Sequence, residues 1–271
     1  MDMKKIRLDV LLVERGLAAS RTLAQRLVMA GQVWVDGQRV LRTAAPVAPD
    51  AQLLVEQGPP FVSRGGEKLE AALDAFNVVV QGMVCADVGA STGGFTDCLL
   101  QHEAAKVYAI DVGHGLLDWR LRLEPRVIVM EAINARFVER LPEPVSIITI
   151  DVSFISLKVI LPVVKEWLAG PAGSLIALVK PQFEAGRKEV SRGRGVIRDP
   201  VIHRQVLLDI LDYACSIGYG VHGLIRSPLT GPKGNAEFLA WLAWGVGAVV
   251  DIKSLVDAVV PPESLPPGSS L

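Results

Sequence analysis

Four side chains able to do chemistry lie at or directly after the ends of predicted strands in this sequence of 271 residues. They are Asp87, Asp111, Asp151 and Lys180. Because the carboxyl ends of parallel strands meet at one edge of a sheet, we expect these groups to share one rim. A lysine beside acidic groups can orient a hydroxyl and stabilise a developing alkoxide. The pattern therefore favours a hydroxyl as the acceptor of a transferred group, with a solvated ion pair at the rim as the alternative.

A loop of small residues joins the first of these strands to the next helix. It reads Asp87-Val88-Gly89-Ala90-Ser91-Thr92-Gly93-Gly94-Phe95. Small residues let a nucleotide approach the backbone, and the first turn of a helix offers unpaired N–H groups. Asp111, at the end of the next strand, is placed to accept hydrogen bonds from both ribose hydroxyls of that nucleotide. A simple tight turn is the alternative interpretation of the glycines.

The order of residues in this loop distinguishes between cofactors. A dinucleotide-binding loop has the pattern Gly-x-Gly-x-x-Gly, whereas here an acid stands two residues before the first glycine. This order resembles motif I of S-adenosylmethionine-dependent methyltransferases, which implies S-adenosyl-L-methionine as the cofactor. Asn134 occupies a position used for adenine contact in such folds, although it also fits a turn. The predicted cofactor contacts are Asp87, Gly89, Ala90, Ser91, Thr92, Gly93, Gly94, Phe95, Asp111 and Asn134.

Enzymes that methylate other acceptors carry characteristic residues at the strand ends, and this sequence lacks those residues there. An amino group on a base would go with an Asn/Asp-Pro-Pro-Tyr motif, but the corresponding segment is Asp151-Val152-Ser153-Phe154. A ring carbon of cytosine would need a thiolate at a strand end, whereas Cys85, Cys98 and Cys215 fall inside predicted elements as small core residues. The cysteines form no Cys-x-x-Cys pair, so we expect neither a metal site nor a disulfide.

From residue 82 the apolar pattern alternates between strands and helices. Continuous apolar strands that alternate with helices are typical of a parallel sheet covered on both faces. The predicted strands are residues 84–88, 106–111, 127–130, 147–150, 175–179, 219–225 and 238–244. The predicted helices are residues 67–76, 95–101, 155–168 and 203–217. The predicted fold class is α/β, a mostly parallel seven-stranded sheet that resembles the Rossmann-like methyltransferase fold.

A small α+β module precedes this sheet. Residues 7–56 contain two helical segments, with Ser20 as the N-cap of the second, and a hairpin that turns at Asp36-Gly37. Gly58-Pro59-Pro60 is predicted to be a short, stiff linker. The predicted domains are residues 1–57, a linker at 58–63, a catalytic domain at 64–246 and a mobile tail at 247–271.

Four motifs, in the same order along the chain, resemble those of the TlyA family. They are residues 63–69 (SRGGEKL), 89–95 (GASTGGF), 151–156 (DVSFIS) and 180–184 (KPQFE). TlyA proteins are ribosomal-RNA 2′-O-methyltransferases with an FtsJ-like catalytic domain, and the resemblance runs from residue 4 to about residue 246. The first 55 or so residues resemble the RNA-binding domain named after ribosomal protein S-four.

This resemblance implies a catalytic tetrad of Lys68, Asp151, Lys180 and Glu237. In FtsJ-like enzymes the second lysine is assigned to the ribose 2′-hydroxyl, and the other three residues fix its position and charge. The implied reaction is methyl transfer from S-adenosyl-L-methionine to a 2′-hydroxyl, of a cytidine by family resemblance. The implied partners are ribosomal RNA and ribosomal subunits.

Local charge favours an RNA partner although the whole chain is nearly neutral. The sequence has 28 Lys+Arg against 29 Asp+Glu, a net charge of −1, which argues against coating nucleic acid by bulk charge. Residues 180–198 nevertheless hold six basic and two acidic side chains among several glycines, as expected of a loop that folds onto a phosphate backbone. A solvated face is the alternative for any single arginine. The predicted RNA contacts are Arg7, Arg15, Arg21, Arg26, Arg64, Arg187, Lys188, Arg192 and Arg194.

Two functions of other classes stay open. Some TlyA-like proteins carry a haemolysin label, and a membrane-lytic protein would need an amphipathic or spanning segment. The longest apolar run, residues 238–250, has 13 residues, against about 20 for a span. A non-catalytic RNA-binding assembly factor is disfavoured because all four tetrad residue types are present. No apolar signal core follows the first residues, so we expect a cytoplasmic protein without a membrane partner.

Overall fold

Short helices and strands form the N-terminal part of the computed structural model, which describes residues 5–56, 58–171, 173–186, 189, 193–245 and 250–261. A division between Pro60 and Phe61 separates this first unit from a second, larger one. The helices of the first unit are α1 (Leu8–Glu14) and α2 (Arg21–Met29). Its strands are β1 (Ile6–Arg7), β2 (Val33–Val35), β3 (Gln38–Arg39), β4 (Pro46–Val47) and β5 (Leu53–Val55).

Local sequence signals account for the elements of the first unit. Ser20 is the N-cap of α2, as predicted, and its Oγ accepts a hydrogen bond from Leu23 N at 3.2 Å. Asp36 and Gly37 have positive φ angles of 50° and 77°, which lets β2 turn back onto β3. β2 also pairs with β5, and apolar side chains such as Leu12 form the buried core beneath.

The second unit contains the predicted seven-stranded sheet among its described residues. Its strands are β6 (Val84–Val88), β7 (Lys106–Ile110), β8 (Val127–Met130), β9 (Ile147–Ile150), β10 (Ser174–Val179), β11 (Tyr219–Arg226) and β12 (Phe238–Trp244). In space they follow the order β11-β12-β10-β9-β6-β7-β8. The strands from β10 to β8 are parallel, whereas β12 is antiparallel to both of its neighbours. The mostly parallel sheet is therefore confirmed.

Helices cover both faces of this sheet. They are α3 (Gly65–Phe76), α4 (Gly94–Gln101), α5 (Trp119–Arg122), α6 (Leu157–Val164), α7 (Pro181–Glu184), α8 (Pro200–Ser216) and α9 (Ile252–Val259). One buried cluster includes Leu161 of α6 and Leu207 of α8, and another includes Leu69 of α3 and Leu99 of α4. Strands that are apolar on both sides need a buried cluster on each face of the sheet, and the two clusters meet this need. Across the described part of the chain, no helix is long and apolar enough to cross a membrane.

Part of the segment predicted to be a mobile tail is helical. α9 begins after Asp251, whose carboxylate accepts hydrogen bonds from Lys253 N and Ser254 N at 3.2 Å each. Val256 of α9 is fully buried in the larger core cluster. A capping acid followed by apolar residues at helical spacing explains this difference from the prediction, which rested on the prolines that begin at Pro261.

Candidate active site

The glycine-rich loop follows β6 at the point where successive strands diverge across the sheet. β6 lies between β7 and β9, and such a switch point forms a crevice at the carboxyl ends of the strands. Gly89 has a φ of +86°, and a Cβ atom there would lie 2.5 Å from the backbone oxygen of Asp151. Gly93 has a φ of +97°, and a Cβ atom there would overlap Leu121. The close approach of two chain segments therefore requires glycine at both positions.

Gly89→Ala should destabilise the second unit by about 1–3 kcal/mol more than a matched change at Gly115. Gly115 has a similar φ of +74°, but no atom lies within 4 Å of the position that its Cβ would take. Both alanines meet the same backbone strain, whereas only the one at Gly89 overlaps Asp151. Urea unfolding of the two variants measures the difference, and equal losses would show that the close approach is unimportant.

Asp87 is buried beneath the loop rather than exposed in the crevice. Its side chain has no exposed surface. Its carboxylate accepts hydrogen bonds from Thr96 Oγ1 at 2.7 Å and from Thr149 Oγ1 at 3.1 Å, and so ties β6 to α4 and β9. Burial raises the pKa of Asp87 to about 7, against the opposing effect of the two threonine hydrogen bonds. The structure thus differs from the predicted ligand contact, because Asp87 holds the loop in place from below.

The buried Asp87 should make stability depend on pH. Its pKa in the folded chain, about 7, lies above the ordinary value of 3.8, so the folded state holds this proton more tightly than the unfolded state. Stability from this group is therefore present in acid and is lost as the pH rises toward 7. Relative to Asp87→Asn, the wild type should lose up to about 4 kcal/mol between pH 4 and pH 7. Urea unfolding across this range tests the effect, and parallel pH profiles would contradict it.

A cavity of about 520 Å³ runs along the ends of the strands on one side of Asp151. Asp111 lines it, and its carboxylate accepts hydrogen bonds from Ser91 N at 2.8 Å and Gly113 N at 2.6 Å. Asn134 also lines it, and its Oδ1 accepts a hydrogen bond from Arg136 N at 3.1 Å. The carboxylate of Asp111 keeps further lone pairs, and the amide nitrogen of Asn134 can still donate. Asp111 and Asn134 therefore line one cavity with groups that are free to bind a ligand, and their contact with a nucleoside stays a prediction.

A second cavity, of about 210 Å³, shares Gly89, Ser91 and Asp151 with the first. Lys68 and the exposed Arg64 also line it. The residues of the glycine-rich loop that line it are Gly89, Ala90, Ser91, Thr92, Gly94 and Phe95. The predicted loop contacts thus lie together around one space, with Gly93 shaping the turn behind them.

Two ion pairs involve the four residues of the predicted tetrad. Lys68 Nζ donates a hydrogen bond to Glu237 Oε2 at 2.6 Å. Lys180 Nζ lies 2.6 Å from Asp151 Oδ1 and donates a hydrogen bond to Ser153 Oγ at 3.0 Å. Lys68, Lys180 and Glu237 are buried, where a charge is tolerated only beside a partner. The two ion pairs therefore bring together side chains that are distant in the sequence.

A third cavity, of about 460 Å³, connects these two pairs. Lys180 and Glu237 line it, whereas Asp151 lines the first two cavities and Lys68 the second. The Lys180–Asp151 pair therefore stands where the third cavity meets the crevice beside the glycine-rich loop. A ligand in the crevice and an acceptor in the third cavity would meet at this pair.

Phe154 is a site residue that the sequence analysis did not single out. Its side chain is 91% exposed, it has a φ of +64°, and it lines both the first and the third cavity. Its ring lies 4.9 Å from that of Phe183, measured between centroids. A bulky residue held at positive φ is an outlier that clusters at functional sites. The sequence offers only its place in the 151–156 motif as a signal.

The predicted RNA-binding residues are exposed wherever the structure describes them. These are Arg7, Arg15, Arg21, Arg26, Arg64 and Arg194, while Arg187, Lys188 and Arg192 lie outside the described residues. Asp9 is fully buried in the first unit and accepts hydrogen bonds from Arg7, Arg21 and Gln25. These bonds, above all from Arg7, hold the pKa of Asp9 well below its usual range. Arg15 instead donates to the backbone oxygens of residues 49 and 51, which gives it a structural role.

The cysteines lie as the sequence analysis predicts for core residues. Cys85 and Cys98 are buried, and Cys215 is partly buried. Burial raises the pKa of Cys85 to about 12 and also raises the pKa of Cys98. Neither thiol is placed to act as a thiolate nucleophile.

Known proteins similar to this chain include enzymes that modify RNA. The "Putative rRNA methyltransferase YqxC" of Bacillus subtilis (strain 168) is 48% identical over 251 residues, which are 90% of this chain and 88% of the relative. The "16S/23S rRNA (cytidine-2'-O)-methyltransferase TlyA" of Mycobacterium tuberculosis (strain ATCC 25618 / H37Rv) is 42% identical over 260 residues, 94% of this chain and 96% of the relative. The solved structure "Putative hemolysin from Streptococcus thermophilus" is 43% identical with a TM-score of 0.72 and covers 95% of each chain.

Two protein families match separate parts of the chain. The S4 domain family matches residues 6–53, which hold α1, α2 and the strands β1 to β4 and end at the first residue of β5. The FtsJ-like methyltransferase family matches residues 61–244. Since these residues contain the seven-stranded sheet, the three cavities and both ion pairs, this chain belongs to the FtsJ-like methyltransferase family and carries an S4 domain ahead of the methyltransferase unit.

Proposed function

We propose that this chain transfers a methyl group from S-adenosyl-L-methionine to the 2′-hydroxyl of a cytidine in ribosomal RNA. The observation that carries the proposal is the Lys180–Asp151 ion pair, which stands where the crevice meets the third cavity. The relatives named as ribosomal-RNA methyltransferases, one of them as a cytidine-2′-O-methyltransferase, support the substrate.

The residues of the crevice fit the proposed cofactor. Gly89 lets the loop pack directly against the backbone of Asp151, so that the loop and Asp151 border the same two cavities. Asp111 and Asn134 offer an acceptor and a donor in the larger cavity, which suit ribose hydroxyls and adenine. The remaining loop residues, in the second cavity beside Lys68, would hold the rest of the molecule. When bound, S-adenosyl-L-methionine supplies an electrophilic methyl group on its sulfonium.

Lys180 and Asp151 account for activation of the acceptor. Methyl transfer to oxygen is an in-line displacement, so the hydroxyl must be aligned and must lose its proton. Lys180 lines the third cavity, where its Nζ can hydrogen-bond to the ribose oxygen and stabilise the developing negative charge. Asp151 holds that Nζ at a distance of 2.6 Å. The Lys180–Asp151 pair takes up the hydroxyl proton as the oxygen bonds to the methyl carbon, and the methyl–sulfur bond breaks to leave a neutral thioether. The Lys68–Glu237 pair completes the charged surroundings of the same junction.

The first unit and the surface around the site support an RNA partner. The S4 family match in residues 6–53 coincides with the exposed Arg7, Arg21 and Arg26. Asp9 holds two of these arginines from beneath and leaves their outer N–H groups for phosphate oxygens. Arg64 at the second cavity and Arg194 are the described candidates for phosphate contacts in the methyltransferase unit.

Phe154→Ala should lower kcat/KM for ribosomal RNA about 10- to 100-fold. Its exposed ring, beside Phe183 at the mouth of the third cavity, can stack on a nucleobase, which is worth about 1–3 kcal/mol. Phe137→Ala is the matched control, because Phe137 is also exposed, at 69%, and lines none of the three cavities. Steady-state methylation assays compare the two variants, and equal losses would argue against stacking by Phe154.

Incubation of the purified chain with ribosomal subunits and methyl-labelled S-adenosyl-L-methionine tests the proposed function. We expect label in ribosomal RNA from at least one subunit and none in transfer RNA or in a messenger-like transcript of equal length. Asp111→Ala should weaken cofactor binding and, at limiting cofactor, reduce the label. Absence of label from every ribosomal RNA offered, as intact subunits or as naked RNA, would overturn the proposal.

A further inference from the structure

A carboxylate outside the tetrad joins the two segments that carry the Lys180–Asp151 pair. Glu184 Oε2 accepts a hydrogen bond from Ser156 Oγ at 2.5 Å, and Glu184 Oε1 accepts one from Leu157 N at 2.8 Å. Glu184 ends α7, the helical turn that starts directly after Lys180. Ser156 is the N-cap of α6, in the segment that follows Asp151. One side chain therefore connects the segment after β9 with the segment after β10.

The surroundings of Glu184 make this connection specific. Burial raises the pKa of Glu184, while the hydrogen bonds from Leu157 and Ser156 and the nearby Lys158 act in the opposite direction. Its position at the N-terminus of α6 places negative charge where the helix dipole favours it. The side chain of Glu184 is partly buried, and these donors replace part of the solvation that its carboxylate loses. The two segments are therefore held at one separation.

An aromatic contact crosses the same gap. Phe154 precedes Ser156 by two residues, Phe183 directly precedes Glu184, and the two rings are in contact. The positive φ of Phe154 is a strained conformation that persists only when its surroundings hold it. The hydrogen bonds of Glu184 lie next to this aromatic contact in both segments, the one after β9 and the one after β10. They thus support the wall shared by the crevice and the third cavity.

We propose that Glu184 is a positioning residue for methyl transfer: through Ser156 and Leu157 it fixes the segments after β9 and β10 so that Lys180 Nζ stays on Asp151. The proposal rests on the proposed function of the site. Glu184 lines none of the three cavities, and so it acts through Lys180 and Asp151 and not on the substrate. An ordinary helix cap would stabilise α6 and leave the reaction unchanged.

Kinetics of Glu184→Gln and Ser156→Ala test this role. Glutamine keeps the size of the side chain but offers one acceptor oxygen in place of two. We expect kcat to fall about 10- to 100-fold, because small displacements of catalytic groups have effects of this size, with KM for ribosomal RNA changed less than about twofold. Combining Glu184→Gln with Ser156→Ala should lower kcat no further than the more damaging of the two single substitutions, since both remove the same contact. Asp209→Asn is the control, because Asp209 pairs with Lys158 of the same helix and should leave kcat unchanged.

Crystal structures of the wild type and Glu184→Gln give a readout independent of activity. The proposal expects the distance from Lys180 Nζ to Asp151 Oδ1 to grow from 2.6 Å to beyond about 4 Å, the limit of an ion pair. An unchanged distance overturns it whatever the activity. If Glu184→Gln has a lower unfolding temperature but the kcat of the wild type, the proposal is also overturned, and Glu184 is only a cap of α6. If the wild type methylates no ribosomal RNA, the proposed function fails, and the crystallographic distance still decides the role of Glu184.

Discussion

Lys180→Ala should lower kcat for methyl transfer about 100- to 1000-fold, the usual effect of removing one donor that stabilises a developing oxyanion. Lys180 is the tetrad lysine that lines the third cavity, and its Nζ is held by Asp151 and Ser153. The affinity for S-adenosyl-L-methionine should change little, because Lys180 lines neither cavity beside the glycine-rich loop. Single-turnover rates with labelled cofactor, together with calorimetric titration of the cofactor, separate these two effects.

A matched lysine distinguishes chemistry from general charge. Lys253 lies exposed at the start of α9, so Lys253→Ala removes the same charge without touching the site. It should keep the wild-type rate. If Lys180→Ala is equally fast, or if it loses cofactor affinity and rate in the same proportion, Lys180 does not act on the acceptor.

Glu237→Ala should destabilise the second unit by about 3–5 kcal/mol, because it leaves a buried charge without its partner. Lys68 Nζ is 2.6 Å from Glu237 Oε2, and the two side chains are 11% and 2% exposed. Beyond this loss, methyl transfer should stop under conditions where the variant is still folded, since Glu237 lines the third cavity beside Lys180. Urea unfolding and a methylation assay on the folded fraction measure both effects.

A double substitution separates the structural and chemical roles of this pair. Lys68→Met combined with Glu237→Leu replaces both charges with apolar groups of similar size, and such exchanges are often neutral for stability. We expect the double variant to unfold within about 1 kcal/mol of the wild type and to remain inactive. Recovery of both stability and methyl transfer would show that the Lys68–Glu237 pair is purely structural.

Much of the fold follows from patterns within single segments. Most strands of the second unit are short, largely apolar runs, and each one lies within a residue or two of its predicted bounds. α9 lies in the segment for which the neighbouring prolines predict a tail, although its own signals are local, a capping Asp251 and apolar residues at helical spacing. The order of the strands and the switch point between β6 and β9 depend on pairing across the sheet. The alternation of strands and helices in the sequence indicates a mostly parallel sheet but does not give this order.

The site was less accessible to sequence reasoning, because its geometry depends on neighbours distant in the chain. Motif positions identified Lys68 and Glu237, but not that they form an ion pair across 169 residues of sequence separation. The loop pattern predicts Asp87 at the ligand, whereas its burial depends on the strands that flank β6, one of which carries its hydrogen-bond partner Thr149. The exposure and positive φ of Phe154 depend on how the segments after β9 and β10 pack together. Residue types in the sequence therefore indicate the kind of reaction. Which of these residues can reach a ligand depends on their burial and their contacts in the folded chain.

The position of the transferred methyl group tests the central claim most directly. Ribosomal subunits are incubated with methyl-labelled S-adenosyl-L-methionine and either the wild type or Lys180→Ala, and the RNA is digested to nucleosides for mass spectrometry. The account predicts label in 2′-O-methylcytidine from the wild type and at most about a hundredth as much, per unit time, from Lys180→Ala. Label on a base atom, or equal label from both proteins, would contradict it.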